Sequence, residues 1–145
     1  MKYVVLAVLM LLLGILVTTF KPAEPMLTPI VRMRSPEGFF VTYVRDRVQG
    51  SKACQEEIRI YVEPLQEACP ACAIESSACA SELVGMEKAL AESLPLPVYV
   101  VRSEGIRMSV VGPPQRVKVW CETVAAQIVR NGLRSASCVY PPAPA

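Results

Sequence analysis

Residues 98–132, VYVVRSEGIRMSVVGPPQRVKVWCETVAAQIVRNG, carry the clearest structural signals in the chain. Val98 to Arg102 and Ile106 to Val111 are rich in β-branched residues, and the Ser-Glu-Gly between them predicts a hairpin turn. After two consecutive prolines, apolar residues recur at helical spacing as far as Asn131 and Gly132, which form a typical helix stop. This stretch therefore predicts a β-hairpin followed by a helix.

The sequence on either side of this stretch predicts further strands and helices. Phe39 to Arg45 is rich in aromatic and β-branched residues and predicts a strand. A helix is predicted to begin at Ser51, with a strand around Ile58 as the alternative, and a second helix is predicted over Ser81 to Leu94. Alternation over residues 136–140 predicts a last strand.

This order of elements predicts the α+β class, as a small two-layer sandwich with a mainly antiparallel sheet. The predicted domain covers residues 39–140, and the proline-rich residues 141–145 are expected to form a disordered tail. A chain of 145 residues has room for one such domain.

The N-terminal segment predicts a membrane anchor. Residues 3–20, YVVLAVLMLLLGILVTTF, contain no charge and would span about 27 Å as a helix. A cleaved signal peptide is the alternative, but its apolar core is shorter and is followed by small residues, unlike Thr19-Phe20-Lys21. We therefore expect residues 1–20 to be a single-pass transmembrane helix, with the membrane as one partner of the chain.

Residues 21–38, KPAEPMLTPIVRMRSPEG, contain four prolines and no sustained periodicity. They predict an extended, partly stiff spacer between the anchor and the domain, at about 3.1 Å per residue where the chain is polyproline-like.

Six cysteines follow the anchor, an even number in a small domain, and this pattern is typical of disulfides formed on the oxidising side of a membrane. The six disulfide candidates are Cys54, Cys69, Cys72, Cys79, Cys121 and Cys138. Six cysteines allow fifteen pairings. Cys121 and Cys138 lie on core-facing stripes of the last helix and the last strand, which predicts a bridge between them, with two free buried thiols as the alternative. Positive charges on the two flanks of the anchor almost balance, so the cysteines decide the predicted location, a bacterial inner membrane with the domain in the periplasm.

Cys69-Pro-Ala-Cys72 has the spacing of a redox dithiol, in which the first thiolate attacks a substrate disulfide and the second resolves the mixed disulfide. This pair is the only catalytic candidate. A zinc site with Cys79 would lack a second close pair, and the chain has no histidine to complete it. No metal and no cofactor is predicted.

Charge and composition exclude several classes of function. The net charge is +2 without an extended basic field, so we expect no nucleic-acid partner. The absence of histidine removes the Ser/His and Cys/His nucleophile pairs, and no paired carboxylates suggest an acid/base couple. An enzyme is therefore the less favoured interpretation.

Pro95 to Gly132 resembles the C-terminal half of the thioredoxin fold, which implies that Pro95 or Pro97 faces the dithiol. Residues 110–136 also resemble the last β-α-β part of the peptidoglycan-binding repeats of cell-division and sporulation proteins. That resemblance implies a glycan on the exposed face of the sheet. The residues proposed for binding are Tyr99, Arg102 and Arg107 on this face, and Trp120 as an aromatic interface residue.

Together these features predict a membrane-anchored envelope accessory or binding protein that acts through a disulfide-stabilised extracytoplasmic domain. Tethering gives such a domain a high effective concentration near other envelope proteins, which are its expected partners. Two alternatives remain open. One is an anchored thiol-disulfide oxidoreductase that uses Cys69 and Cys72, and the other is a peptidoglycan- or glycan-binding module.

Overall fold

The computed structural model describes residues 23–132 and 135–141. Within these residues the chain forms seven strands and three helices. The strands are β1 (Met26–Arg34), β2 (Phe40–Arg45), β3 (Val48–Gln49), β4 (Ala73–Ala80), β5 (Tyr99–Ser103), β6 (Ile106–Val111) and β7 (Ala136–Val139). The helices are α1 (Ser51–Ala68), α2 (Gly85–Ala91) and α3 (Pro114–Arg130).

The described strands join in one sheet in which every pairing is antiparallel. Its order across the sheet is β4, β1, β2, β6, β5, β7, and β3 pairs with the first two residues of β1. Two disulfides join a helix to a strand, and a third closes the turn between α1 and β4. The predicted α+β class with an antiparallel sheet is therefore confirmed.

The predicted spacer over residues 21–38 is wrong for residues 26–34, which form β1 in the interior of the sheet. A proline inside such a strand normally argues against it, because proline cannot donate a ladder hydrogen bond. Here β2 pairs with β1 from Ile30 onward and β3 pairs with it up to Leu27, so Pro29 lies where this ladder is interrupted. The domain thus begins well before residue 39.

One face of the sheet carries the larger core. Val31, Tyr43, Val101 and Met108 project from four neighbouring strands and are buried beneath α1 and α3. Each fully buried side chain of this kind contributes roughly 1.5–3 kcal/mol relative to an exposed one. The hydrophobic stripe of α3, which includes Cys121, faces this core as its spacing predicted.

The opposite face has a second, smaller core, formed by strand residues that alternate with the first set. Ile30, Val44 and Val100 pack with Leu90 of α2. The predicted two-layer sandwich therefore acquires part of a third layer, because α2 covers this cluster. A strand buried on both faces explains why β1 and β5 contain consecutive buried residues.

Most predicted elements between residues 39 and 140 are confirmed, namely β2, α1, the β5–β6 hairpin, α3 and β7. The helix predicted over Ser81 to Leu94 is shorter in the structure, because Val84 is still extended and α2 ends at Ala91. Strand β4 was not predicted at all. Residues 1–20 and 142–145, which carry the predicted anchor and most of the predicted tail, lie outside the described residues.

Candidate functional site

The edge of the sheet formed by α1 and β4 is the part of the domain with the most distinctive geometry. The chain runs along α1, reverses at Cys69 to Cys72 and returns as β4. A disulfide from Cys54, in the first turns of α1, to Cys79, near the end of β4, joins the two elements at one end. A second disulfide, Cys69 to Cys72, closes the turn at the other end.

A groove lies between α1 and the outer side of β4. It encloses about 530 Å³ and has an apolar floor of Ile58, Val62 and Ile74, each packed at the margin of the main core. The remaining lining residues are mostly polar: Gln55, Arg59, Glu63, Gln66, Ser77, Ala78 and Cys79. The groove is thus a shallow, partly apolar channel that follows the strand.

In the described part of the chain, β4 pairs only with β1, so its outer edge is open. Ser76, Ser77 and Ala78 are exposed and small, and they leave the backbone of this edge accessible. Proteins commonly protect open edges with lysine, proline or a bulge. The pairing of β1 with β4 does have an irregularity next to Glu75, which leaves a regular open edge from Ser76 to Ala80.

Charges at the rim of the groove are held in pairs. The guanidinium of Arg59 donates to Glu56 and, at 2.9 Å, to Glu63. Hydrogen bonding from Arg59 lowers the pKa of Glu56, whose side chain is exposed. On the other side of the strand, Arg34 forms an ion pair with Glu75 at 3.1 Å. These five charges sum to −1, so the groove has no strong field of either sign.

The Cys69–Cys72 pair lies at the carboxyl end of α1. The Cys69 N–H donates to the Leu65 carbonyl at 2.8 Å, which completes the last turn of the helix. Redox dithiols of this spacing depend on a helix amino terminus, where the macrodipole stabilises the attacking thiolate. Here the dipole has the opposite sign, and the charged residues that flank the pair in sequence, Glu67 and Glu75, are acidic. The redox prediction gains no support from this geometry.

The thioredoxin-like resemblance required a proline opposite the dithiol. Pro95 and Pro97 precede β5, which is separated from β4 by β1, β2 and β6. At about 4.8 Å per strand, this order places β5 roughly 19 Å from β4 across the sheet. The structure does not bring the two prolines to Cys69 and Cys72.

The residues predicted to bind a glycan do not share one surface. Tyr99 lies on the face covered by α3, where its ring meets that of Tyr140 edge-on at 5.7 Å. Arg102 and Arg107 are paired across β5 and β6 on the opposite face. Strand alternation therefore separates the tyrosine from the two arginines.

Arg102 and Arg107 instead hold the connection between α2 and β5. Arg102 donates to the Ser93 carbonyl at 3.0 Å, and Arg107 donates to the Ser93 hydroxyl at 3.2 Å and to Asp46 at 2.5 Å. Ser93 has a φ of 58°, a left-handed conformation that is uncommon outside glycine. The two arginines stabilise this unusual residue, which is a structural role that the sequence did not reveal.

Trp120, the predicted interface aromatic, is only partly exposed on α3. Its ring stacks on that of Phe39 with centroids 5.6 Å apart, and it packs against the main core. The structure therefore places Trp120 at the margin of the core rather than on an open surface.

A second cavity of about 530 Å³ lies at the other face of the sheet. It is lined by Arg45, Arg47, Lys88 and Arg107 together with Asp46, Glu82 and Glu92. Several of these charges are already paired, Arg45 with Glu57 at 2.9 Å and Arg107 with Asp46. The described residues also include no group of three cysteine, aspartate or glutamate side chains that could hold a metal ion.

Comparison of the chain with protein-family models, with curated proteins and with solved structures gives no match. Among the described residues, none of the helices is long and apolar enough to cross a membrane. The two resemblances and the predicted anchor therefore stay predictions.

Proposed function

We propose that the protein is a membrane-anchored accessory protein whose disulfide-stabilised domain binds an extended segment of another envelope protein along β4. The observation that carries this proposal is the open edge of β4 beside an apolar groove. The domain lies outside the cytoplasm, in the periplasm of a bacterial inner membrane, and the apolar run over residues 3–20 holds it there.

The cysteines support an oxidising compartment. All six are joined in three bridges, and none is free. Structural disulfides of this kind persist in secreted and periplasmic proteins and are rare where thioredoxin and glutathione keep thiols reduced. Fusion of alkaline phosphatase after Ala145 tests the compartment, because the enzyme becomes active only when it is exported. An inactive fusion that is present in normal amounts would contradict the proposed location.

The geometry of the edge supports strand addition. In this mode an extended peptide takes its affinity from main-chain hydrogen bonds and its specificity from alternate side chains that enter pockets. The regular edge from Ser76 to Ala80 supplies the main-chain groups, and Ile58 and Val62 supply an apolar floor for alternate side chains. The Cys54–Cys79 bridge fixes the strand to α1, and such preorganisation reduces the entropy lost on binding.

The rim charges suggest the chemistry of the partner segment. Because the groove is close to neutral with a slight acidic excess, we expect a segment with alternating apolar residues and no excess of negative charge. Gln66 at the rim supplies polar groups for side chains of that segment, whereas Glu63 is already paired with Arg59.

Site-specific photo-crosslinking in cells tests this site. We expect p-benzoylphenylalanine at Ser77 to form a discrete adduct with one envelope protein, and the same probe at Ser137 on β7 to form none. Both serines are exposed on edge strands, so Ser137 is a matched control. The adduct at Ser77 should disappear with Ala78→Lys, because a charge on an open edge opposes pairing. Equal adducts at both positions, or an adduct insensitive to Ala78→Lys, would contradict the proposal.

The oxidoreductase and glycan-binding alternatives are not favoured by a specific observation. The dithiol pair is at the helix end that disfavours a thiolate, and the predicted glycan-binding residues lie on opposite faces. We therefore propose binding rather than catalysis.

A further inference from the structure

The cavity on the face of the sheet that α2 covers has no part in the proposed function. It encloses about 530 Å³, which is within the range of sites that bind small molecules. One wall is formed by Thr28 of β1, Arg107 of β6 and residues 45–47 at the end of β2, and the other by α2 and the residues on either side of it. Seven of the ten lining residues are charged, four basic and three acidic. We call this space the α2 cavity.

Thr28 brings a buried hydroxyl to the α2 cavity. The residue is 1% exposed, and its hydroxyl has no hydrogen-bond partner within the described part of the chain. Strand alternation places its side chain on the same face as that of Ile30, which packs with Leu90 of α2. A buried hydroxyl without a partner is destabilising, and native proteins rarely keep one. The Thr28 hydroxyl is therefore suited to a hydrogen bond with a bound molecule.

Five of the seven charges that line the α2 cavity already have a partner of opposite sign. The ion pairs that contain them are Arg107 with Asp46, Arg45 with Glu57, and Lys88 with Glu92 at 4.0 Å. Arg47 and Glu82 take part in none of the ion pairs of residues 23–132 and 135–141, and they are not paired with each other. The Arg47 guanidinium donates to the Ser81 carbonyl at 3.0 Å, which holds it beside the segment that contains Glu82.

One cation, one anion and one hydroxyl of the α2 cavity thus remain for a ligand. A guanidinium binds a carboxylate through charge-assisted hydrogen bonds, and a carboxylate accepts hydrogen bonds from an ammonium group in the same way. A hydroxyl both donates and accepts, so it matches either side of a peptide group. A free amino acid has only the two charged groups, whereas a short peptide has all three.

We propose that the α2 cavity binds a short zwitterionic peptide, with its carboxylate at Arg47, its ammonium group at Glu82 and a peptide group at Thr28. The site goes beyond the proposed function and does not depend on it, because the groove at β4 lies on the face of the sheet that α1 covers. The two lining charges of opposite sign favour a ligand that carries both charges over one that carries a single charge.

Titration of the isotope-labelled full chain in detergent micelles with L-alanyl-L-alanine, followed by heteronuclear NMR, tests the inference. A ligand of this size with two charge-assisted contacts should bind with a Kd of about 1 mM or tighter. The backbone amide signals of Thr28, Arg47 and Leu83 should shift in a saturable way, and that of Ser77 on β4 should not. The inference is overturned if the signals of Thr28 and Arg47 do not shift, or if the shifts centre on Ser77.

Blocked peptides test each charge of the ligand with the unsubstituted protein, so this measurement does not depend on a variant that folds. N-acetyl-L-alanyl-L-alanine lacks the ammonium group, and L-alanyl-L-alanine amide lacks the carboxylate. Each should bind at least about ten-fold more weakly than the dipeptide, because a charge-assisted contact is lost. Equal affinity for either blocked peptide would contradict the inference.

Variants identify which residue holds each charge. Arg47→Gln and Glu82→Gln should each weaken dipeptide binding about ten-fold. Arg47→Gln should also lose the preference for the dipeptide over its amide, and Glu82→Gln the preference over the N-acetyl form, as expected for directly coupled groups. Arg130→Gln and Glu104→Gln remove the same types of exposed charge outside the α2 cavity and should change neither value. Preferences that survive in Arg47→Gln and Glu82→Gln, or equal losses in the two controls, would contradict the inference.

Thr28→Val separates a ligand contact from a structural role. Valine has nearly the same shape as threonine and lacks only the hydroxyl, so dipeptide affinity should fall about five-fold, the usual effect of one neutral hydrogen bond. The thermal unfolding midpoint without dipeptide should be unchanged or higher, because the variant removes a buried hydroxyl that has no partner in the domain. Unchanged affinity, or a lower midpoint, would contradict the inference.

Discussion

The two edges of the sheet are each fixed by a disulfide, but they differ in strand length and in how far they are covered. Each edge strand is joined by a disulfide to the helix that covers it, β4 to α1 through Cys54–Cys79 and β7 to α3 through Cys121–Cys138. The β4 edge has eight residues beside an open groove. The β7 edge has four residues and is followed by Tyr140, whose hydroxyl donates to Glu122 of α3 and whose ring lies under Lys118.

Both edge strands are therefore held by a disulfide, and the disulfide does not determine whether an edge stays open for pairing. The bridge at β7 secures a short edge whose end is covered by an aromatic contact. The bridge at β4 secures a long edge that keeps its pairing capacity. A small domain that holds an exposed strand rigid, without covering it, has a surface suited to a partner strand.

Removal of a disulfide should have the largest effect on the free energy of unfolding, and the size of the loss compares the two edges. The bridges close loops of 25 residues at Cys54–Cys79 and 17 residues at Cys121–Cys138. Chain entropy then predicts losses in the free energy of unfolding of about 3.5 and about 3 kcal/mol for the paired alanine variants. Chemical denaturation of each variant measures these losses, and a smaller loss at the β4 edge would contradict the assigned role of its bridge.

The Cys69–Cys72 bridge should contribute less, because its cysteines are only three residues apart. The same loop-closure argument predicts about 1.6 kcal/mol for Cys69→Ala with Cys72→Ala. An effect as large as that at Cys54–Cys79 in the same denaturation series would show that this turn fixes α1 and β4 by strain or packing rather than by chain entropy.

Alkaline pH should lower the free energy of unfolding mainly through a buried tyrosine on the β4 side. Burial raises the pKa of Tyr61 on α1, whose ring stacks on that of Tyr43 at 3.8 Å. Because the folded pKa lies above the unfolded value of about 10, the unfolded state ionises first, and stability falls as pH rises past 10 by up to about 1.4 kcal/mol per pH unit. Denaturation at pH 8 to 11 measures this slope.

Two phenylalanine variants identify the source of that slope. Tyr61→Phe should reduce it, since the buried hydroxyl is removed. Tyr140→Phe should change it less, because Tyr140 is exposed and its raised pKa comes first from its hydrogen bond with Glu122. An unchanged slope in Tyr61→Phe would contradict this assignment.

Lysine substitutions on the two edges should have the smallest effect on folding. Ala78 and Ser137 are both exposed, and surface changes of this kind usually stay within about 0.5 kcal/mol. Thermal unfolding of Ala78→Lys and Ser137→Lys measures the change. A large loss in Ala78→Lys would mean that its effect on cross-linking reports unfolding rather than a blocked edge.

The difference between the two edges also explains which strands and helices could be predicted from the sequence. The β7 side follows ordinary local rules, with β-branched strands, a glycine turn and a helix that ends at Arg130, just before Asn131 and Gly132. The interior strand β1 was missed because Pro29 lies within it and other prolines flank it, and Pro29 is tolerated where β2 and β3 interrupt their pairing with β1. That interruption depends on tertiary pairing that periodicity does not encode.

Strand β4 was not predicted from the sequence for a different reason. Its residues, Ala73 to Ala80, are mostly alanine and serine, which have little strand preference of their own. It forms because β1 offers a ladder and because Cys79 is joined to α1. The open edge of β4 was therefore not predicted from the sequence. The sequence had pointed instead to the cysteine spacing of this segment and to exposed residues of β5 and β6.

Disulfide mapping tests the central claim most directly, by mass spectrometry of the membrane-extracted chain alkylated with and without reduction and then digested. Three bridges are predicted in every molecule, Cys54–Cys79, Cys69–Cys72 and Cys121–Cys138, with no alkylation before reduction. Six free thiols, or Cys54 and Cys79 bonded to other partners, would contradict both the oxidising location and the rigid open edge on which the proposed function depends.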